Sequence, residues 1–276
     1  MKKLLLIIVS ISFAFSGYSD NAANIYNNLG IVKYNSGDYE GSLDDFNTSI
    51  YIDSAISHHY GNRGIAKLKL NDFKGAMTDF NKAVELNPAS IDTYFNRGTA
   101  FYIDGKYKSA IGDLDFVIDK DATDKEAYLY RGMAEEKSDM RKAALKDYTT
   151  AIEVDRKYKE AYYQRGVTLN KDDEYEDAID DFNRAIKYEY KDAKVFEESG
   201  LAKLGAGNYF GAVKAFDKAI AEDNESAEAY YQRGVAKYNV HKDLEACNDW
   251  IKAKALGHPL AKKTINKYCS KSKKKK

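Results

Sequence analysis

Ala161-Tyr162-Tyr163-Gln164-Arg165-Gly166 returns almost unchanged as Ala229-Tyr230-Tyr231-Gln232-Arg233-Gly234. Between them stands a worn copy, Phe196-Glu197-Glu198-Ser199-Gly200. Upstream come Tyr128-Leu129-Tyr130-Arg131-Gly132, Tyr94-Phe95-Asn96-Arg97-Gly98, Tyr60-Gly61-Asn62-Arg63-Gly64 and Tyr26-Asn27-Asn28-Leu29-Gly30. The glycines recur every 34 residues from Gly30 to Gly234, with no insertion. A fixed period of this length marks an array of repeats, each burying its apolar surface against its neighbours instead of in one globular core.

One copy, residues 159–192, shows what the repeat is made of. Ala161, Tyr162, Arg165, Gly166 and Leu169 recur at three- and four-residue steps, the signature of one helical face. Asp172-Asp173-Glu174 breaks the pattern and is expected to cap the next helix. Tyr175, Ala178, Ile179, Phe182, Ala185 and Ile186 then form a second amphipathic run. Each repeat therefore reads as a helical hairpin. Across copies a large slot holds Phe46, Phe80, Leu114, Tyr148, Phe182, Phe216 and Trp250, flanked on either side by small slots such as Ala178 and Ala185. The repeat glycine is expected to face those alanines, which would let the two backbones approach closely. Close contact would offset the roughly 1 kcal/mol that a helical glycine costs relative to alanine.

A charge pattern runs through the same register. Arginine precedes the glycine at Arg63, Arg97, Arg131, Arg165 and Arg233, and aspartate precedes the large slot at Asp79, Asp113, Asp147, Asp181 and Asp249. The sixth copy loses both together, as Ser199 and Ala215. Joint loss points to pairing between the two helices of one repeat. Planar, bidentate geometry suits an Arg–carboxylate pair, and such buried pairs more often fix geometry than add stability. The competing reading is a basic stripe that meets a ligand.

Period, paired helices and the pattern Tyr-x-x-Arg-Gly, Ala, Phe, Ala, with Pro88 at a repeat end, resemble tetratricopeptide repeats. Seven copies are covered, residues 23–56, 57–90, 91–124, 125–158, 159–192, 193–226 and 227–260. The chain departs from the family at the lead aromatic, which is Tyr or Phe rather than Trp, and at the terminal proline, kept only at Pro88. The resemblance implies an all-α, right-handed superhelical solenoid and a scaffold that binds protein or peptide on its concave face. In that family the first helix of each repeat lines the concave side. Here those slots hold Phe95, Tyr102, Leu129, Tyr163, Tyr231 and Tyr238, with Gln164 and Gln232 beside them. Aromatics with amides make an adaptable surface of little charge, suited to an extended peptide. The alternative is that these rings pack between repeats. The Lys/Asn/Arg set by which some members clamp a C-terminal carboxylate is missing: Asn27, Ile31 and Asn62 stand there.

The formal charge of zero hides an uneven distribution. Eight lysines and no acid lie between Lys262 and Lys276, and the first 19 residues carry two lysines and no acid. What remains is an acidic body, a poor candidate for a phosphate backbone. Lys2 and Lys3, the apolar run Leu4 to Phe15, and Ala14-Phe15-Ser16 read as an export signal over residues 1–19, with an uncleaved anchor as the alternative. The run is shorter than the roughly 20 residues needed to span a bilayer. Residues 261–276 read as a capping helix, with Ala261, Ile265 and Cys269 on one face, and then a lysine tail that is solvated or touches a membrane surface weakly. This ending resembles exported bacterial members of the family, so the protein is expected in the periplasm or outside the cell.

Cys247 and Cys269 are the only cysteines. Antiparallel helices joined near Gly257–Leu260 would bring both to one height, and an exported protein can keep a disulfide there; the alternative is two buried free thiols, since the Cys247 slot is apolar in every other copy. Nothing points to catalysis, a cofactor or a metal. His58 and His59 are adjacent, without a ligand pattern around them, and the four histidines (with His241 and His258) are read as solvated connection residues. Gly200, Gly205, Gly207 and Gly211 crowd the sixth copy, and Glu197-Glu198 puts charge on its groove side, marking either a hinge or a weak repeat. The function expected is a non-enzymatic binding scaffold. The alternatives are a glycan or cell-wall binder using the same groove, and an assembly factor docked at a membrane through the lysine tail.

Overall fold

The structure, a computed structural model, describes residues 21–269. The export-signal segment and the Lys271–Lys276 tail lie outside the described residues. All regular structure among the described residues is helical, in two compact units that divide after Ser138. The first unit holds α1 (residues 21–35), α2 (Tyr39–Ile52), α3 (Ser57–Lys69), α4 (Phe73–Leu86), α5 (Ile91–Ile103), α6 (Tyr107–Lys120) and α7 (Lys125–Lys137). The second holds α8 (Arg141–Val154), α9 (Lys159–Lys171), α10 (Tyr175–Lys187), α11 (Ala193–Gly205), α12 (Tyr209–Glu222), α13 (Ala227–Asn239), α14 (Asp243–Ala255) and α15 (Ala261–Tyr268).

Within each unit the odd-numbered helix of a repeat pairs with the next even-numbered one. The close approach has a nearer partner than the one expected. The repeat glycine chiefly meets the large slot of its own hairpin; a Cβ on Gly98 or Gly234 would also lie 3.4 or 3.1 Å from the carbonyl oxygen of Ala110 or Ala246, the backbone approach expected from the alanines. A Cβ on Gly30, Gly64, Gly166 or Gly200 would lie 2.6, 2.8, 2.9 or 2.6 Å from the ring of Phe46, Phe80, Phe182 or Phe216, and one on Gly234 would lie 2.5 Å from Trp250 Nε1. These rings pack on bare backbone, and the large slot is at most 1% exposed in every copy. The alanines of the small slots are fully buried beside them.

Each hairpin turn contains one residue in the left-handed region: Gly37, Asn71, Gly105, Asp139, Asp173, Gly207 and His241, again at steps of 34. Gly, Asn and Asp tolerate that conformation; a histidine is strained there. His241→Gly is therefore expected to raise stability by about 0.5–1 kcal/mol, read as a higher urea midpoint. Where the residue before the second helix is Asp or Asn, it caps that helix. Asp38, Asp72 and Asn208 accept from the backbone N–H of Gly41, Gly75 and Gly211. Asp172-Asp173-Glu174 does not cap α10, because Glu174 holds the N-cap position without a side-chain bond. Asp172 pairs instead with Arg141 at 2.7 Å, and Asp173 accepts from the Tyr175 hydroxyl.

His58 and His59 are not connection residues; both lie in α3, and His59 is fully buried. Ser49 Oγ donates to the Ala23 carbonyl at 2.8 Å, so His59 Nδ1–H donates to Ser49 Oγ at 2.8 Å. The opposite ring nitrogen lies 3.2 Å from the Asn24 amide. Burial, and then the neighbouring His58, lower the His59 pKa from 6.5 to about 4. The unfolded chain thus binds the proton first, and stability is lost as pH falls from about 6.5 through about 4. Urea midpoints of the wild type should decline across that window, and His59→Gln should remove the part of the decline that belongs to this residue.

The sixth copy's extra glycines also have local reasons. A Cβ on Gly205 would strike the Tyr175 ring of the preceding hairpin, Gly207 holds the left-handed turn and Gly211 accommodates the Asn208 cap. At the end of the chain, Cys247 of α14 and Cys269 are joined by a disulfide with Cα atoms 5.8 Å apart. Ile265, Tyr268 and Cys269 pack on Ala246, Cys247 and Trp250.

Candidate functional site

The arginines form a ladder inside the hairpins. Arg63 donates from Nε and Nη2 to the two carboxylate oxygens of Asp79 at 2.8 and 2.6 Å. Arg97–Asp113, Arg165–Asp181 and Arg233–Asp249 repeat this fork. The remaining nitrogen of each arginine reaches the previous repeat, to Asn47, Asn81, Thr149 and Asp217 respectively. Each guanidinium also lies over the lead tyrosine of its own helix, at 5.1–5.8 Å from the ring centre. Three of the five N–H groups of each of these arginines are thus engaged within the protein, which favours the structural pairing over the basic-stripe reading.

The aromatic row is more varied than its sequence slot. In the first unit Phe95 and Tyr102 are half-buried, while Leu129 is 6% exposed and therefore supports the row from beneath instead of presenting itself. The ring beside Leu129 takes its place: Tyr130 meets Phe95 edge-on at 5.9 Å and Tyr102 at 6.1 Å. Tyr107 approaches Tyr102 at 5.9 Å. Burial raises the Tyr102 pKa, so its hydroxyl stays protonated as a donor.

In the second unit Tyr163 stacks on Tyr190 at 4.8 Å, and Tyr231 stacks on His258 at 4.0 Å. Tyr190 and His258 occupy one repeat slot, the slot of Pro88. A flat ring there covers the inward tyrosine of the same copy. His258 is thus not a solvated connection residue; its side chain is 6% exposed, and Nε2 lies 3.1 Å from Glu228. Tyr231 is further held by its hydroxyl to Thr264 Oγ1 at 3.2 Å, and Gln232 donates to Glu228 at 2.7 Å. Tyr238 is 37% exposed and lies against Tyr268 of the cap at 4.8 Å. The expected row therefore separates into members tied down by the cap (Tyr231, Gln232, Tyr238) and members with freer edges (Tyr163, Gln164).

Around Tyr163 the surface turns acidic. Burial first, then Glu198, Tyr190, Asp192 and Glu197, raise the Tyr163 pKa. Glu198 accepts from Asn170 at 3.4 Å, and burial raises its own pKa. Glu197 accepts from the Ser226 hydroxyl. Tyr130 and Tyr190 were not singled out by the sequence reading; the signal that could have found Tyr190 was the pair of rings at the proline slot. Glu197 and Glu198 were legible as charge on the groove side, two adjacent acids where other copies carry an aromatic and an amide. No group of three or more metal-ligating side chains gathers among the described residues.

Three family models match: TPR repeat over residues 64–105, and tetratricopeptide repeat over residues 131–193 and 23–56. The chain belongs to the tetratricopeptide-repeat family. Among solved structures it is similar to a tetratricopeptide repeat protein from Parabacteroides merdae, with 18% identity, 89% of this chain and 98% of that one covered, and a TM-score of 0.65. It is also similar to PilW, described as a widely conserved type IV pilus biogenesis factor (17% identity, 75% and 96% covered, TM-score 0.69). A third is YrrB, described as a TPR protein with an unusual peptide-binding site (21% identity, 67% and 95% covered, TM-score 0.55). At these identities the likeness establishes the shared fold. No curated protein matches the chain. Tetratricopeptide repeats are in general non-catalytic scaffolds for protein–protein interaction, and the fold of this chain points to a protein-interaction scaffold.

Proposed function

We propose that this tetratricopeptide-repeat protein is an exported, non-enzymatic scaffold that binds an extended peptide or protein segment along its aromatic row. The observation that carries the reading is the Tyr163–Tyr190 stack, flanked by Gln164, Asn170, Glu197 and Glu198. It offers a flat apolar face with acceptors and donors beside it, the chemistry by which an extended backbone and its side chains are recognised. Rings already stacked in the free protein lose little freedom on binding, which favours affinity. The peptide-binding site named for YrrB belongs to that protein, but it supports a search for one here. Export is supported by the Cys247–Cys269 bond, since disulfides persist in oxidising compartments.

Photocrosslinking from position 163 in cells, with identification of the adduct, would name the partner. Once it is known, Tyr163→Ala with Tyr190→Ala should weaken capture by about 1–3 kcal/mol while helix content stays intact. Unchanged capture by that double variant would remove this row as the site.

A further inference from the structure

The sixth repeat keeps a lysine whose partner is gone. At the eleventh position of the repeat, Lys33, Lys67 and Lys237 pair with the aspartate of their own second helix: Asp45 at 2.7 Å, Asp79 at 2.7 Å and Asp249 at 2.9 Å. Lys203 stands in that slot, but the aspartate slot opposite holds Ala215, which is 4% exposed. The arginine that fills the rest of this space elsewhere is replaced by Ser199, 1% exposed. Lys203 is half-buried, and its ammonium donates to Ser199 Oγ at 3.0 Å. Burial, and then Lys218, lower its pKa. Asn183 occupies the slot whose counterparts Asn47, Asn81, Thr149 and Asp217 accept from an arginine, and in register it has Ser199 opposite.

The sixth copy has thus lost one cation and one anion while retaining the second cation. A half-buried ammonium with a hydroxyl beside it and a second ammonium nearby is a field in search of negative charge. We propose that Lys203 and Ser199, with Lys218 at the rim, bind the carboxylate of a ligand where an aspartate side chain stands in the other repeats. The ammonium has three N–H groups and spends one on Ser199, whose own proton is free to point at the incoming oxygen. The carboxylate comes either from an acidic side chain of a bound partner or from a small free acid. The site uses none of the residues of the aromatic row and does not depend on that reading.

Acetate is the missing aspartate side chain as a free molecule, so it is the direct probe. The full-length protein carrying lysine labelled with carbon-13 at Cε is titrated with sodium acetate against sodium chloride at equal ionic strength. Lys203 is assigned from Lys203→Arg. The expected result is a saturable shift of the Lys203 resonance with acetate, none with chloride, and none at Lys67 or Lys237, whose aspartates already fill the place. In Ser199→Arg with Ala215→Asp, which restores the ladder of the other copies, the acetate response should vanish. Far-UV circular dichroism establishes folding, and Ala215→Asp alone serves if the double variant does not fold. A blocked peptide with one glutamate, compared with its glutamine counterpart, separates the two sources. Saturation at about tenfold lower concentration than acetate assigns the site to acidic side chains, and parity assigns it to small acids. No acetate response, an equal response to chloride, or a response that survives Ala215→Asp overturns the proposal.

Discussion

Asp79→Ala is expected to destabilise the first unit by about 3–5 kcal/mol, because it strips a buried carboxylate from two cations at once. Asp79 is 2% exposed; it receives the fork of Arg63 and also Lys67 at 2.7 Å. Without it a guanidinium and an ammonium remain, each only about one-fifth exposed, with Asn47 as the remaining hydrogen-bond partner of Arg63. Replacing Asp79 together with Arg63 and Lys67 by apolar residues of similar volume should cost much less, since an empty ion-pair site is cheaper than half of one. Amide hydrogen exchange in α3 and α4 measures both. Equal losses for the single and the triple change would show that the ladder is not acting as a pair. Asp181 shows why these pairs fix geometry more than they stabilise: burial raises its pKa against the opposing pull of Arg165.

Loss of the Cys247–Cys269 bond is expected to cost about 3 kcal/mol, from the entropy of a closed loop of this length, and to free the cap α15 first. The bridge closes a sequence separation of 22 and holds α15 on Trp250, the only tryptophan. Trp250 and Tyr268 lie 5.8 Å apart, and its indole N–H donates to the Tyr231 carbonyl at 3.1 Å. Reduction should therefore expose the indole and shift its emission to the red. Tyr231 should loosen at the same time, because Thr264 leaves with the cap. Thiol titration of the denatured, unreduced protein checks the premise. Two free thiols per chain would contradict it, and none is the expected count.

By itself, the sequence determined the architecture and the pairings that stay within one repeat. The period of 34, the helical spacing and the joint loss at Ser199 and Ala215 are local or periodic signals, and the forks at Asp79, Asp113, Asp181 and Asp249 arise from them. The meeting of Cys247 and Cys269 was legible for the same reason, since two antiparallel helices of known rise fix the heights of their residues. Tertiary structure decided what each side chain meets across helices. Glycine turned out chiefly to seat the large side chain opposite, which packs on bare backbone and leaves no room for a Cβ. His59 sank into the first hairpin interface, where Ser49 accepts from its Nδ1–H and Asn24 lies against the other ring nitrogen, a pairing that no spacing announces. The aromatic row looked uniform in sequence, yet Leu129 is covered, Tyr231 is held under His258, and Tyr163 has Tyr190 as its platform. Exposure depends on which loop or cap lies over a slot. A repeat register assigns equivalent positions along the chain, but only packing assigns their surroundings.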